Sequence, residues 1–187
     1  MSIEYSILGL LSWKPLTGYD LKKIMSDSSL FYWSGNNNQI YRTLLQLYHD
    51  GLISQQVQQQ ESLPAKKIYS ITEGGINELR RWLFTLPELP EMRNAFLLQL
   101  AWADCLSTAE IVSLLDRYEK EVQAHLTLQQ EKARRQKDMP RRTPREVFLW
   151  EKISENVVSL YQNELNWVQR VRSELLQKGF NDELSRG

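Results

Sequence analysis

The spacing of hydrophobic positions changes several times along the chain, and each change marks a structural element. Ile3, Ile7, Leu8, Leu10 and Leu11 form a dense apolar stripe that predicts a buried helix ending near Trp13, with Pro15 breaking it. Thr17-Gly18-Tyr19-Asp20 reads as a second helix start. Thr17 can accept from the backbone N–H near Asp20, and the Asp20 charge suits the positive end of a helix. Leu21, Ile24 and Met25 carry that helix on, and Ser34-Gly35-Asn36 is a turn that resets the chain. A third helix follows from about Asn37 to Asp50, with Ile40, Leu44 and Leu47 as its inner stripe and Asn37, Asn38, Arg42 and Gln46 lying away from it. Gly51 supplies the stop.

The period then shortens. Leu52 to Val57 and Lys67 to Ile71 are rich in strand formers, and the polar loop between them, Gln58 to Lys66, contains Pro64 and should form a mobile hairpin tip. Thr72 caps a further helix bearing Ile76, Leu79, Trp82 and Leu83. Helix, hairpin, helix over Asn36 to Gly75 is the second half of a winged helix-turn-helix. The predicted class is therefore mainly α with a small β-wing, and it points to duplex DNA.

Pro87 and Pro90 bracket a linker, PELPE, which divides the chain into an expected DNA-binding domain, 1–86, and a helical domain, 87–187. In the latter, Ala95 to Cys105 predicts one apolar helix. Ser107-Thr108-Ala109-Glu110 is a capping box that opens a long helix striped by Ile111, Leu115, Tyr118, Val122 and Leu126. A basic stretch, Lys132 to Arg145, carries Pro140 and Pro144. Thr143-Pro144-Arg145-Glu146 then starts a final helix that runs to about Gln177 and stops at Gly179. Two long amphipathic helices with little beside them call for a second copy of the chain, packed as a C2 dimer. The expected dimerisation stripe is Trp150, Ile153, Val157, Tyr161, Leu165 and Val168. A dimer suits a DNA reader, because identical heads address half-sites about one helical turn apart.

Composition narrows the classes. Net charge is zero, with 23 basic and 23 acidic residues, so any positive surface is local. A single cysteine excludes an internal disulfide and fits a reducing cytoplasm. The first residues lack a secretory signal, and no apolar run is long enough to span a bilayer. Enzyme chemistry finds no support. The two histidines, His49 and His125, are far apart in sequence, and no ligand spacing, phosphate loop or nucleophile elbow is present, so neither metal nor cofactor is expected.

The candidate DNA contacts are Asn36, Asn37, Asn38, Gln39 and Arg42, since Asn and Gln can pair with adenine and Arg with guanine. Their alternative role is as turn and solvated-face residues. Tyr41 either sets its hydroxyl on a phosphate or packs its ring on Trp33 or the wing. Thr17, Gly18 and Tyr19 open a helix whose N-terminus can hold phosphate; Thr17 can equally serve as a plain cap. Lys66 and Lys67 either meet phosphate or the minor groove, or blunt a solvated edge strand. The basic Lys132 to Arg145 stretch reads better as a solvated inter-helix loop than as a second anion contact. Of the six tryptophans, Trp102 and Trp150, together with Tyr161, are candidates for an effector pocket, against the usual core role of aromatics.

These blocks resemble the PadR-like winged-helix transcriptional regulators. ILGLL, TGYDLKK, NQIYRTLLQLYHDGLI and IYSITEGGINEL carry the likeness over roughly residues 3–84. FLLQLAWADCLSTAEIVSLLDRYEKEV and the Trp-bearing last helix look like the dimerising helices of the family's larger, virulence-activator-like branch. The resemblance implies a cytoplasmic homodimer, usually a repressor, that releases operator DNA on binding a small effector. Such effectors are hydroxycinnamates in one branch and flat hydrophobic drugs held by aromatics in another. Asn36-Asn37-Asn38 departs from the family's small-residue lead-in to the recognition helix. Two further readings are an activator acting with a partner regulator, and a winged-helix protein-interaction module. Salt dependence separates the module from a DNA reader.

Overall fold

A computed structural model of the chain describes residues 3–27, 37–59, 66–89, 94–135 and 140–180. They fall into two compact units, 1–88 and 89–187.

The first unit runs α1 (Ile3–Trp13), β1 (Leu16–Thr17), α2 (Gly18–Asp27), α3 (Asn37–His49), β2 (Ile53–Gln58), β3 (Lys66–Ile71) and α4 (Glu73–Leu83). The sheet order is β1-β3-β2, antiparallel throughout, with Leu16 opposite Tyr69 and Gln55 also opposite Tyr69 on the other side. The core lies where the predicted stripes meet: Ile7, Leu8 and Leu11 of α1, Leu21 and Met25 of α2, Ile40, Leu44 and Leu47 of α3, and Ile53 and Tyr69 of the wing. A winged helix-turn-helix is thus in place. The expected turn at Ser34-Gly35-Asn36 and the hairpin tip at 60–65 lie outside the described residues.

Local signals set the boundaries. Thr17 and Asp20 cap one another: the Asp20 N–H donates to Thr17 Oγ1 and the Thr17 N–H donates to Asp20 Oδ2, each at 3.1 Å. Gly51 takes the left-handed conformation, φ 71°, that ends α3. Thr72 accepts from the Gly75 N–H at 3.1 Å while its hydroxyl donates to the Gly51 carbonyl at 2.7 Å, so one side chain ties the end of α3 to the start of α4. Of the apolar side chains expected on α4, Leu79 packs directly against the core. Ile76, Trp82 and Leu83 stay exposed, with the Trp82 ring stacked on Tyr5 at 4.7 Å.

The second unit comprises α5 (Ala95–Ala101), a 3-10 turn (Ala103–Cys105), α6 (Thr108–Arg135) and α7 (Pro144–Lys178). The single helix expected over 95–105 is broken at Trp102, whose ψ of 9° leaves the helical region. Asp104 and Cys105 are weak helix formers, and Leu106 must be extended to enter the Ser107–Glu110 capping box. The basic stretch from Lys132 is not one loop. Lys132, Arg134 and Arg135 close α6, Arg145 opens α7, and 136–139 lie outside the described residues.

Helices α6 and α7 pack antiparallel. Tyr118 meets Glu164, and Arg172 bridges Asp116 and Glu119. Phe96 of α5 stacks on Tyr118 at 3.6 Å and lies edge-on to Trp167. This packing corrects the expected dimerisation stripe. Leu165 and Val168 are buried within the protomer, against Val122 and Leu126 and against Phe96 and Leu115. A pair of long helices joined by a short third one can close its own seam, so these residues are core. Trp150, Ile153, Val157 and Tyr161 are half-buried.

Candidate nucleic-acid interface

Helix α3 turns Ile40, Leu44 and Leu47 inward and leaves the opposite side bare. Asn38, Arg42, Leu45 and His49 are all exposed and recur at steps of four, three and four, so they run along the middle of that bare side. Gln39 and Gln46 flank it on one edge and Tyr41 on the other. Asn38 and Arg42 match expected contacts. Leu45, 70% exposed, and His49 were not singled out from the sequence, although the spacing from Asn38 carries the signal. Gln46 donates to both Asp50 carboxylate oxygens at 2.8 and 2.9 Å, which commits its amide nitrogen. Asn36 and the side chain of Asn37 lie outside the described residues.

The start of α2 sits beside Tyr41. Thr17 is only 6% exposed, and its hydroxyl is spent on Asp20; Gly18 is buried. Neither offers a side chain to a ligand, so what these two positions present is the backbone of the α2 N-terminus, with Thr17 serving as its cap. The Tyr41 ring lies over Gly18. Tyr19 and Tyr41, by contrast, are 68% and 52% exposed. Burial and the nearby Tyr41 raise the Tyr69 phenol above its ordinary value, so the two phenols are neighbours.

Lys66 and Lys67 stand exposed at the start of β3, opposite Gln58 and Val57. Burial pushes the Asp20 carboxyl up, but the Thr17 hydrogen bonds outweigh it and, with the Lys66 and Lys14 charges, hold the group below its ordinary value. The wing lysine and the α2 N-terminus are therefore electrostatic neighbours. Recognition-helix face, α2 N-terminus and wing base lie together on one unit. Arg42, Lys66 and Lys67 supply exposed positive charge there in a chain of zero net charge.

Comparison with known proteins settles the family. The model of the transcriptional regulator PadR-like family matches residues 7–81, and that of the virulence activator alpha C-terminal region matches 92–175. The chain is 32% identical over 126 residues to the negative transcriptional regulator PadR of Bacillus subtilis, covering 67% of this chain and 69% of that one. The chain belongs to the PadR-like family. Its fold agrees with the crystal structure of B. subtilis PadR in complex with operator DNA, at a TM-score of 0.80 and 25% identity over 92% of this chain and 98% of that one. The complex of B. subtilis PadR with p-coumaric acid matches at 0.75 and 24%, with the same coverage.

The residues expected to hold an effector are not gathered in this PadR-like protomer. Trp102 is 74% exposed at the end of α5. Trp150 and Tyr161 share a side of α7 but stand eleven residues apart, about 16 Å along the axis. Tyr161 also stacks on His125 at 5.7 Å. In the basic stretch, Arg134 and Arg135 pair with Glu131, and Arg142 pairs with Glu146, so much of its charge is already matched. Among the described residues there is no metal-binding cluster, and no helix is long and apolar enough to cross a membrane.

Proposed function

We propose that this PadR-like chain is a homodimeric, sequence-specific DNA-binding repressor of the cytoplasm that releases its operator on binding a small aromatic effector. The observation that carries the reading is the exposed side of α3, where Asn38, Arg42 and Leu45 stand in line, with Tyr41, the α2 N-terminus and the lysine-bearing wing base beside one another at its edge. Asn38 and Arg42 supply hydrogen bonds to base edges, and Leu45 an apolar surface for a thymine methyl. Gln39 extends the same face, while Tyr19, Tyr41, Lys66 and Lys67 meet phosphates and fix the register.

Family membership supports regulation over catalysis, and the negative role of the B. subtilis relative supports repression. That relative's complex with p-coumaric acid supports an aromatic ligand class. The dimer reading now rests on a shifted surface. Leu149 and Leu160, 53% and 60% exposed, flank the half-buried Ile153 and Val157 on α7 and give a second copy an apolar face. The effector acts by favouring a dimer whose heads no longer match the half-site spacing.

The test is binding of the purified protein to the DNA upstream of its own gene, at low and at moderate salt, against a scrambled duplex. Specific binding that weakens steeply with salt is expected. A complex indifferent to salt, or no preference over scrambled DNA at any genomic site, would overturn the reading in favour of a protein-interaction module.

A further inference from the structure

Gly18 is the first residue of α2, and its φ is not in the left-handed region. Its backbone therefore does not require glycine, and a helix prefers alanine over glycine on entropic grounds. What excludes a side chain is Tyr41. A Cβ on Gly18 would lie 2.6 Å from Tyr41 Cε1, 3.2 Å from Cζ and 3.3 Å from the hydroxyl oxygen. The hydroxyl end of the ring thus rests on the Gly18 backbone, with Tyr69 beside it, where α2, α3 and β3 meet. The ring remains 52% exposed, although an exposed tyrosine ordinarily has free choice of rotamer.

We infer that Gly18 is a positioning residue for DNA binding: its bare Cα is the socket that holds the Tyr41 phenol in the orientation that donates to a backbone phosphate. The inference rests on the DNA-binding reading above and adds a role that Gly18 plays without touching DNA. The clash in Gly18→Ala is with the far end of a side chain, so the ring can swing away and the fold survives. What is lost is the placement of the hydroxyl. A hydrogen bond to a charged acceptor is worth about tenfold in affinity, and its ordering entropy is already spent when the ring is held in advance.

The experiment is a double-mutant cycle on the full chain: wild type, Gly18→Ala, Tyr41→Ala and the double variant. Each is titrated with a short random-sequence DNA duplex at low salt, because a phosphate contact contributes whatever the sequence. The Tyr41 ring signals of the free protein are followed by NMR alongside. Gly18→Ala is expected to weaken binding about tenfold when Tyr41 is present and not at all when it is Ala, while shifting the Tyr41 ring signals and leaving the melting temperature unchanged or raised. Equal losses in both backgrounds, or no loss at all, overturn the inference. Should Gly18→Ala unfold the chain, Tyr41→Phe replaces it: the ring stays in its socket, and a loss of about tenfold is required. A wild-type chain that binds no duplex instead defeats the DNA-binding reading, which the ring signals of the free variants distinguish from failure of the socket.

Discussion

Two adjacent glycines in the first turn of α4 should respond oppositely to the same substitution. Gly75 is buried against Leu52, which leads into β2, and against Ile71 at the end of β3; a Cβ there would lie 2.1 Å from the Leu52 carbonyl oxygen and 2.8 Å from Ile71 Cγ1. The first of these is backbone and cannot rotate aside. That carbonyl also accepts the Thr72 N–H at 3.0 Å, so moving it strains the Thr72 cap that joins α3, the wing and α4. Overpacking costs about 1–3 kcal/mol and the weakened hydrogen bond about 1, while alanine returns up to about 1 through helix propensity. With a backbone clash the upper end applies, and Gly75→Ala should destabilise the chain by about 3 kcal/mol, a fall in melting temperature of roughly 6–12 °C. At Gly74 the nearest atoms to a Cβ are at 3.5, 3.7 and 3.9 Å, which is ordinary contact. Gly74→Ala should therefore be neutral or stabilising by about 0.4–1 kcal/mol. Urea and thermal unfolding followed by circular dichroism decide the matter. The reasoning is refuted if the Gly75 variant is as stable as the Gly74 variant.

Arg42→Ala should cost about 1–3 kcal/mol on the operator and relax preference at one base position, whereas Lys66→Ala should weaken all duplexes alike and flatten the salt slope by about 1; a binding-site selection and a salt titration of each variant read this directly. Tyr118 is pushed up from 10.0 to about 12 by burial and by its hydrogen bond to Glu164. Because the folded value is raised, its contribution to stability is present in full below pH 10.0 and is lost as pH climbs through about 12. Phenolate absorbance at 295 nm, compared between wild type and Tyr118→Phe, should place this tyrosine's ionisation late, and one at its ordinary value would contradict the Glu164 contact. Leu160→Lys should yield a folded monomer by sedimentation, whereas Leu165→Ala should lower protomer stability by about 2–5 kcal/mol; the reverse assignment would restore Leu165 to the dimer surface.

The sequence by itself determined the winged-helix order, because that order rests on local signals. The Thr17–Asp20 and Thr72 caps, Gly51 beyond α3 and the Ile40-Leu44-Leu47 stripe are all read from residues close in the chain. It also placed Asn38, Arg42 and Gln46 away from the buried stripe of α3, since periodicity alone says which side is outward. Only tertiary structure decided what those signals could not reach. A stripe announces that a helix face is covered but not by what: Leu165 and Val168 are closed off by α6 and α5, while Leu149 and Leu160 remain bare. A Thr-Gly helix start announces free N–H groups but not that Tyr41, 23 residues further on, would settle over the glycine. In both cases the missing information is a contact between segments distant in the chain, and close packing, not local spacing, sets which of two equally apolar or equally small positions is filled.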